Sequence, residues 1–211
     1  MIFSFALAAV DYKNDNYSIS SKGLLRTIEI RHEIPQISFG ASLADDKAGL
    51  YILDVLIKEK IVFDPFLIKA GGKTATGNNY DETTIAKKDD VIASLQDNSD
   101  VDVLFFPYET LENRKMNEIA NEVIKKYPNA FILVETSSNI PTWMTEKNSL
   151  LLTDNKDLIS NKYNTVLMDG DRYTLYEGNE KIATRNKQNF FKTVFKNGKF
   201  QGLESFKTLD E

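Results

Sequence analysis

The chain has 211 residues, of which 42% are hydrophobic and 27% are charged, and it carries a net charge of −5 with an isoelectric point near 5.1. This length fits one large domain, and this balance is typical of a folded globular protein. The acidic surplus argues against nucleic acid as the main partner, because such binding needs cations that neutralise phosphates. The absence of cysteine excludes disulfides, zinc–thiolate sites and a cysteine nucleophile.

The first apolar segment, Met1–Val10, is followed at once by polar residues and is too short to cross a bilayer. We therefore interpret it as a buried strand of a cytoplasmic protein that has no membrane partner. Leu24–Ile34 alternates between apolar and polar positions and ends before Pro35, which predicts a second extended segment. Asp45–Lys60 has helical apolar spacing, with carboxylates at its start and lysines at its end, which predicts a helix.

A glycine turn follows the next strand-like segment. Gly71–Thr74 has the sequence Gly-Gly-Lys-Thr, and Gly-Lys-Thr ends the phosphate-binding P-loop. The first glycine of that motif would fall on Leu67, inside a predicted strand, so the required spacing is broken. We interpret the segment as a plain turn and predict that it binds no nucleotide phosphate.

Two predominantly apolar segments, the near-continuous Val101–Phe106 and the continuous Ala130–Val134, have the composition of strands buried on both faces of a parallel sheet. An amphipathic segment, Leu111–Tyr127, lies between them. This order predicts two adjacent parallel strands that are joined by a right-handed crossover through a helix. Ser149–Thr153 and Thr165–Met168 predict two further strands.

Strands that alternate with helices at this spacing predict an α/β protein with a mostly parallel, Rossmann-like sheet. The pattern changes at Arg172, after which the short strand-like segments Tyr173–Tyr176, Lys181–Thr184 and Phe190–Phe195 flank hairpin signals at Glu177–Glu180 and Asn197-Gly198. We therefore divide the chain into an α/β core domain, residues 1–171, and an antiparallel β-hairpin extension, residues 172–211.

Acidic residues follow several of the predicted strands, where the ligands of an open α/β sheet bind. Paired carboxylates can serve as acid and base, so one hypothesis is a carboxylate- or metal-dependent enzyme of glycosyl transfer or hydrolysis. Its candidate catalytic residues are Glu109, Glu135, Asp154 and Asp169. Asp169 and Asp171 form an Asp-Gly-Asp sequence that fits a metal-binding Asp-x-Asp element. The same residues also fit solvent-exposed turns, and Asp-Gly is a strong hairpin signal.

The extension is rich in phenylalanine, and a two-stranded element cannot bury both of its faces against itself. Either the extension covers the edge of its own sheet, or it is the interface of a homo-oligomer or of a larger assembly. We adopt the second interpretation. The predicted interface residues are Phe190, Phe191, Phe195, Phe200 and Phe206.

The stretch from Ile37 to Glu135 resembles part of the sheath subunits of contractile phage tails and phage-tail-like bacteriocins. The resemblance is carried by Ser42–Asp46 before a helix, by the strand and turn Phe66–Asn78, and by the strand–helix–strand unit between Val101 and Val134. It implies a non-enzymatic subunit without a cofactor, found in the host cytoplasm or the virion, that meets its neighbours by strand addition. A structural or assembly protein of a phage tail is accordingly the first hypothesis for function.

Overall fold

The computed structural model describes residues 1–77, 87–96, 101–146 and 148–208. The helices of these ranges are α1 (Lys22–Glu33), α2 (Lys47–Lys58), α3 (Lys88–Gln96), α4 (Tyr108–Glu112), α5 (Arg114–Lys126), α6 (Phe190–Val194) and α7 (Glu204–Thr208). The strands are β1 (Ile2–Phe5), β2 (Ala9–Lys13), β3 (Asn16–Ile19), β4 (Ile37–Gly40), β5 (Leu43–Ala44), β6 (Val62–Phe63), β7 (Ile68–Lys69), β8 (Ala75–Thr76), β9 (Val103–Phe106), β10 (Phe131–Glu135), β11 (Ser149–Thr153), β12 (Asn164–Asp169), β13 (Arg172–Glu177), β14 (Glu180–Asn186), β15 (Phe195–Lys196) and β16 (Lys199–Phe200).

Nine of the described strands form one sheet in the order β14-β13-β12-β11-β10-β9-β1-β4-β6. The pairs from β6 to β12 are parallel, whereas β12, β13 and β14 pair antiparallel. The predicted α/β class with a mostly parallel sheet is therefore confirmed. The predicted pairing of neighbouring strands is also confirmed, since β9 and β10 pair in parallel with Leu104 opposite Ile132.

Helices cover both faces of this sheet because successive side chains of a strand point to opposite faces. In β9, Phe105 belongs to an apolar cluster that includes Leu24 of α1 and Ile52 of α2. Its neighbour Phe106 belongs to a second cluster, which includes Met116 of α5. The central strands are thus buried on both sides, as their continuous apolar sequences predict.

The extended segment predicted at Leu24–Ile34 is wrong, because these residues lie in α1. Leu24, Thr27 and Ile30 are fully buried, and their spacing of three places them on one face of a helix. The apparent alternation came from residues on the flanks of that face, such as the exposed Leu25. In a segment this short, apolar residues that recur at helical spacing can also match the alternation of apolar and polar residues expected of a strand.

The C-terminal residues continue the main sheet and then cross its face. The hairpin signals are confirmed, since Glu177 opposes Glu180 across one turn and Asn197-Gly198 connects β15 to β16. The strand predicted at Phe190–Phe195 is wrong, because residues 190–194 form α6. Four of the five predicted interface side chains are at most 2% exposed, namely Phe190, Phe191, Phe195 and Phe206.

The fifth phenylalanine of that set, Phe200, stacks on Phe131 of β10 with a centroid separation of 3.7 Å. The set therefore packs on the chain's own sheet, which is the other arrangement weighed for this segment. Its side chains do not form the exposed apolar surface on which the interface interpretation depended. No helix in the described ranges combines the length and the apolar character needed to cross a bilayer.

Candidate functional site

A pocket of about 240 Å³ opens at the edge of the sheet where the parallel strands end. Its walls come from the first turns of α1 and from the carboxyl ends of four adjacent strands, β9, β10, β11 and β12. The lining residues are Lys22, Arg26, Pro107, Tyr108, Glu135, Ser137, Asp154 and Met168. Ligands of open α/β sheets bind outside this edge, so the position itself marks a candidate site.

The start of α1 is held against this edge by Glu109. The Glu109 carboxylate accepts hydrogen bonds from the backbone N–H groups of Lys22, at 2.6 Å, and Gly23, at 3.0 Å. A Cβ atom at Gly23 would lie 2.8 Å from the Cβ of Ala6, so only glycine permits this approach of α1 to the residues after β1. Burial raises the pKa of Glu109, and the two N–H bonds offset this only in part.

Arg26 projects from α1 into the base of the pocket and is only 9% exposed. Its Nε donates to Oε2 of Glu135 at 3.1 Å, and Nη1 forms a close ion pair with Glu29. Its Nη2 donates to the hydroxyl of Tyr173 at 2.8 Å and contacts the sulfur of Met168 at 3.3 Å. All three nitrogen atoms of the guanidinium are therefore engaged within the protein.

The electrostatic surroundings keep Arg26 charged. Burial alone would lower the pKa of Arg26, but the carboxylates of Glu135 and Glu29 and the hydroxyl of Tyr173 raise it well above its usual range. The ring of Phe191 adds a cation–π contact, with its centroid 5.0 Å from the guanidinium carbon. Phe191 is thus buried against the arginine at the base of the pocket and does not form an exposed surface.

Glu135 is the most enclosed carboxylate that lines the pocket, with a side chain 15% exposed. Burial raises the pKa of Glu135 above its usual range, Arg26 opposes this rise, and the charges of Glu29 and Asp154 add to it. One of its oxygens, Oε2, is bound to Arg26. The other, Oε1, receives no hydrogen bond from any residue in the described part of the chain.

The mouth of the pocket carries charges without ion-pair partners. The exposed Lys22 ammonium lies 4.8 Å from the ring centroid of Tyr108 and forms no ion pair with a described residue. Asp154, directly after β11, is exposed and has no ion pair or hydrogen bond through its carboxylate to a described residue. A hydrogen bond to Glu112 raises the pKa of the Tyr108 hydroxyl. The pocket therefore offers an ammonium group, hydroxyl groups and carboxylates to a polar ligand.

Two of the four carboxylates predicted as catalytic, Glu135 and Asp154, meet in this pocket. Glu109 lies beside it and caps α1, and Asp169 is exposed at the end of β12 without lining it. Within the described ranges, no group of three or more histidine, aspartate and glutamate residues is arranged to hold a metal ion. Asp169 and Asp171 instead flank the β12–β13 turn, in which Gly170 has a φ of 56°.

Sequence reasoning missed Lys22, Arg26 and Tyr173. The extended segment predicted at Leu24–Ile34 gives Arg26 no defined neighbours, whereas the helix α1 places it at the pocket. Its partners Glu135 and Tyr173 lie 109 and 147 residues further along the chain, so no local pattern connects them. The helical spacing of Leu24, Thr27 and Ile30 was the one available signal, since it places Arg26 next to the buried face.

No protein-family model and no curated protein matches the sequence. Solved structures with a similar fold include a sugar kinase from Pyrococcus horikoshii, which is 14% identical, with a TM-score of 0.60 over 88% of this chain and 76% of that one. An aminoimidazole riboside kinase from Salmonella enterica is 13% identical, with a TM-score of 0.59 over 85% and 74%. A fructokinase from Halothermothrix orenii is 13% identical, with a TM-score of 0.58 over 90% and 86%. The chain has the fold of these sugar kinases.

The fold shared with these sugar kinases overturns the resemblance to phage-tail sheath subunits. The structural match to the Pyrococcus horikoshii sugar kinase covers 88% of this chain, so it includes most of residues 37 to 135. A glycine turn and buried β-α units occur in any protein of this class, so those motifs did not identify a family. The structural, viral and phage-tail assignment of function was therefore wrong.

Proposed function

We propose that this protein transfers a phosphoryl group from a nucleoside triphosphate to a hydroxyl group of a small polyhydroxylated substrate. The observation that carries the proposal is the pocket itself, which lies at the carboxyl edge of the parallel strands in a sugar-kinase fold. Its mouth holds an ammonium group and a carboxylate, Lys22 and Asp154, that no described residue neutralises. The proposal rests on this combination of fold and site chemistry.

The size and polarity of the pocket favour a small, hydroxyl-rich substrate. Its volume of about 240 Å³ lies below the range of about 300–1,000 Å³ that is common for drug-sized ligands. Hydroxyl groups both donate and accept hydrogen bonds, so they can bind to the two carboxylates and to the ammonium group that line this pocket. Among the structural neighbours, one kinase is named for fructose and another is bound to aminoimidazole riboside and an ATP analogue.

The charged groups suit the separate requirements of phosphoryl transfer, which is catalysed mainly by positioning and by electrostatic stabilisation. Lys22 would offset the negative charge of the transferred phosphoryl group. Glu135, whose pKa is raised by burial and whose Oε1 is free of described partners, would accept the proton of the attacking hydroxyl. Asp154 would hold Mg²⁺, which typically takes one or two protein carboxylates together with phosphate oxygens. That ion supplies neutralisation of the phosphate charge.

A second candidate function, binding of the same class of ligand without phosphoryl transfer, is favoured by one observation. Glu135, the most enclosed carboxylate of the pocket, is paired with an arginine. Such a pair reduces the basicity of the carboxylate and therefore its ability to accept a proton. The two functions differ in whether the bound substrate is converted.

A turnover assay separates these functions. The protein is incubated with MgATP and a panel of monosaccharides and nucleosides, and ADP release is compared with and without each compound. We expect compound-dependent ADP release that falls about 100-fold or more in Asp154→Asn and in Lys22→Met, since each change removes charge stabilisation from the site. Asp171→Asn, an exposed carboxylate at the same edge that does not line the pocket, is the matched control. Saturable binding without ADP release would favour the second function. If the protein shows no binding and no turnover, both functions are rejected.

A further inference from the structure

The base of the pocket contains a buried cation that is not available to a ligand. The Nε, Nη1 and Nη2 atoms of Arg26 all have acceptors within the protein, supplied by Glu135, Glu29, Tyr173 and Met168. A guanidinium has five N–H donors in a fixed planar arrangement. With its nitrogens engaged and its side chain 9% exposed, Arg26 cannot act as an anion-binding group without breaking buried contacts.

The surroundings of Arg26 also fix its position. Its guanidinium lies over the ring of Phe191, on α6, and donates a hydrogen bond to the hydroxyl of Tyr173, on β13. Both aromatic side chains are at most 2% exposed. Because the fork of donors is planar and rigid, holding it in place also holds the Oε2 atom to which its Nε is bound.

We infer that Arg26 is a positioning residue that fixes one carboxylate oxygen of Glu135 so that the other oxygen is left to receive a substrate hydroxyl. This inference rests on the proposed function for the identity of the substrate, but the geometry that it describes belongs to the protein without ligand. Glu135 lines the pocket, and its Oε1 is the acceptor that no described residue uses.

The charges around Glu135 make this role measurable. Arg26 and Glu29 face it from α1, Asp154 faces it from the end of β11, and Lys22 and Tyr108 line the same pocket. Burial and the two carboxylates raise the pKa of Glu135, and Arg26 is the group that lowers it. Removing the arginine charge therefore leaves burial and the two carboxylates, which favour the protonated acid, as the main influences on this pKa. The carboxyl group would then donate a hydrogen bond rather than accept a proton.

The test is a titration of the Glu135 carboxyl in the free protein by carbon-13 NMR, with its resonance assigned by Glu135→Gln. We expect Arg26→Met to raise the midpoint by about one pH unit or more. Arg26→Lys keeps the charge but loses the planar fork, so a smaller rise is expected. Tyr173→Phe is the control, because it removes a different hydrogen bond of Arg26 and leaves its pair with Glu135 intact.

The pH profile of the reaction supplies a second reading of the same effect. A general base must be ionised, so the rate falls as the pH drops through the pKa of Glu135, and Arg26→Lys should move this acidic limb to higher pH. A midpoint of Glu135 that is unchanged in Arg26→Met and in Arg26→Lys overturns the inference, whether or not the protein transfers phosphate. If Arg26→Met does not fold, Arg26→Lys decides alone. A shifted midpoint in a protein without turnover supports the inference and rejects the proposed function.

Discussion

The Nε atom of Arg26 lies 3.1 Å from Oε2 of Glu135, although 109 residues separate the two in the chain. The pair joins the first helix to the fifth strand of the parallel region, at the base of the candidate pocket. Both side chains are largely removed from water, at 9% and 15% exposure. Arg26 supplies the opposite charge that stabilises the enclosed Glu135 carboxylate, and Arg26 is itself neutralised by Glu135 together with Glu29.

Removing one member of this pair should destabilise the fold. Arg26→Met leaves the Glu135 carboxylate enclosed without its partner, and we expect the free energy of unfolding to fall by about 3–5 kcal/mol. Urea unfolding followed by circular dichroism measures the change. The double variant Arg26→Met/Glu135→Gln removes both charges and should recover part of the loss, whereas a loss equal to that of Arg26→Met alone would show that the pair is not the cause.

The pair illustrates why the site was only half predictable. Glu135 and Asp154 could be placed at the strand ends because β10 and β11 have continuous apolar sequences whose limits are clear. Arg26 could not be placed, because its contacts depend on where α1 docks across the sheet. The spacing of Leu24, Thr27 and Ile30 could place Arg26 beside the buried face of a helix, but the partners of Arg26 are decided by the assembled core.

The N-terminal cap of α2 should make stability depend on pH. Asp46 accepts hydrogen bonds from the backbone N–H of Gly49 at 2.8 Å and from the N–H and hydroxyl of Thr74 at 2.9 and 2.8 Å. Burial would raise the pKa of Asp46, but these hydrogen bonds outweigh it and lower the pKa. A lowered folded-state pKa means that the ionised cap stabilises the fold above the unfolded value of about 4, and that this stability is lost as the pH falls through the folded value.

Asp46→Ala should therefore cost about 0.5–2 kcal/mol at pH 7, with a smaller difference from the natural protein below about pH 4. Thermal unfolding at a series of pH values measures both effects. Asp54→Ala on the same helix removes an exposed ion pair with Lys58 and should cost much less than Asp46→Ala at pH 7. A difference between Asp46→Ala and the natural protein that is constant from pH 7 to pH 3 would contradict the role assigned to this carboxylate.

Gly49 is the second distinctive position of this helix. A Cβ atom there would lie 1.9 Å from the carbonyl oxygen of Ala44 and 2.7 Å from Oγ1 of Thr74. Glycine to alanine within a helix ordinarily stabilises by about 0.5–1 kcal/mol, but here we expect a loss of about 1–3 kcal/mol because backbone must move. Leu50→Ala, at a position 57% exposed, is the control for urea unfolding. If Gly49→Ala instead raised the free energy of unfolding, α2 would have to lie further from Ala44 than it does in this structure.

The C-terminal phenylalanines should act on the stability of the monomer. Phe195 is 2% exposed and lies 6.1 Å from Phe131 and 5.6 Å from Phe200 between ring centroids. We expect Phe195→Ala to reduce the free energy of unfolding by about 3–5 kcal/mol, whereas Tyr12→Ala, at a position 56% exposed, should reduce it much less. Thermal unfolding measures the stability of each variant, and light scattering measures its mass in solution. If Phe195→Ala formed a smaller oligomer with unchanged monomer stability, the result would instead favour an interface.

These phenylalanines mark the limit of what the sequence predicts about the fold. Asn197-Gly198 predicted its hairpin because both residues adopt positive φ values, 52° and 72°, which such two-residue turns require. The destination of the aromatic side chains was not predictable, since the same composition fits a subunit interface and a covered sheet. The structure covers them because α6 and α7 lie where a flat ribbon was expected.

The most direct test of the central claim uses the four methionines of the chain as probes. Met168 lines the pocket, whereas Met116 is buried in the core on the other face of the sheet. In a methyl-labelled sample, the account predicts that a magnesium complex of a non-hydrolysable ATP analogue, added with the monosaccharide panel of the activity assay, shifts the Met168 signal in a saturable manner and leaves Met116 in place. The Met168 shift should be weakened in Asp154→Asn and retained in Asp171→Asn. Saturable shifts at other methyl groups with Met168 unchanged would place the ligand elsewhere and contradict the account.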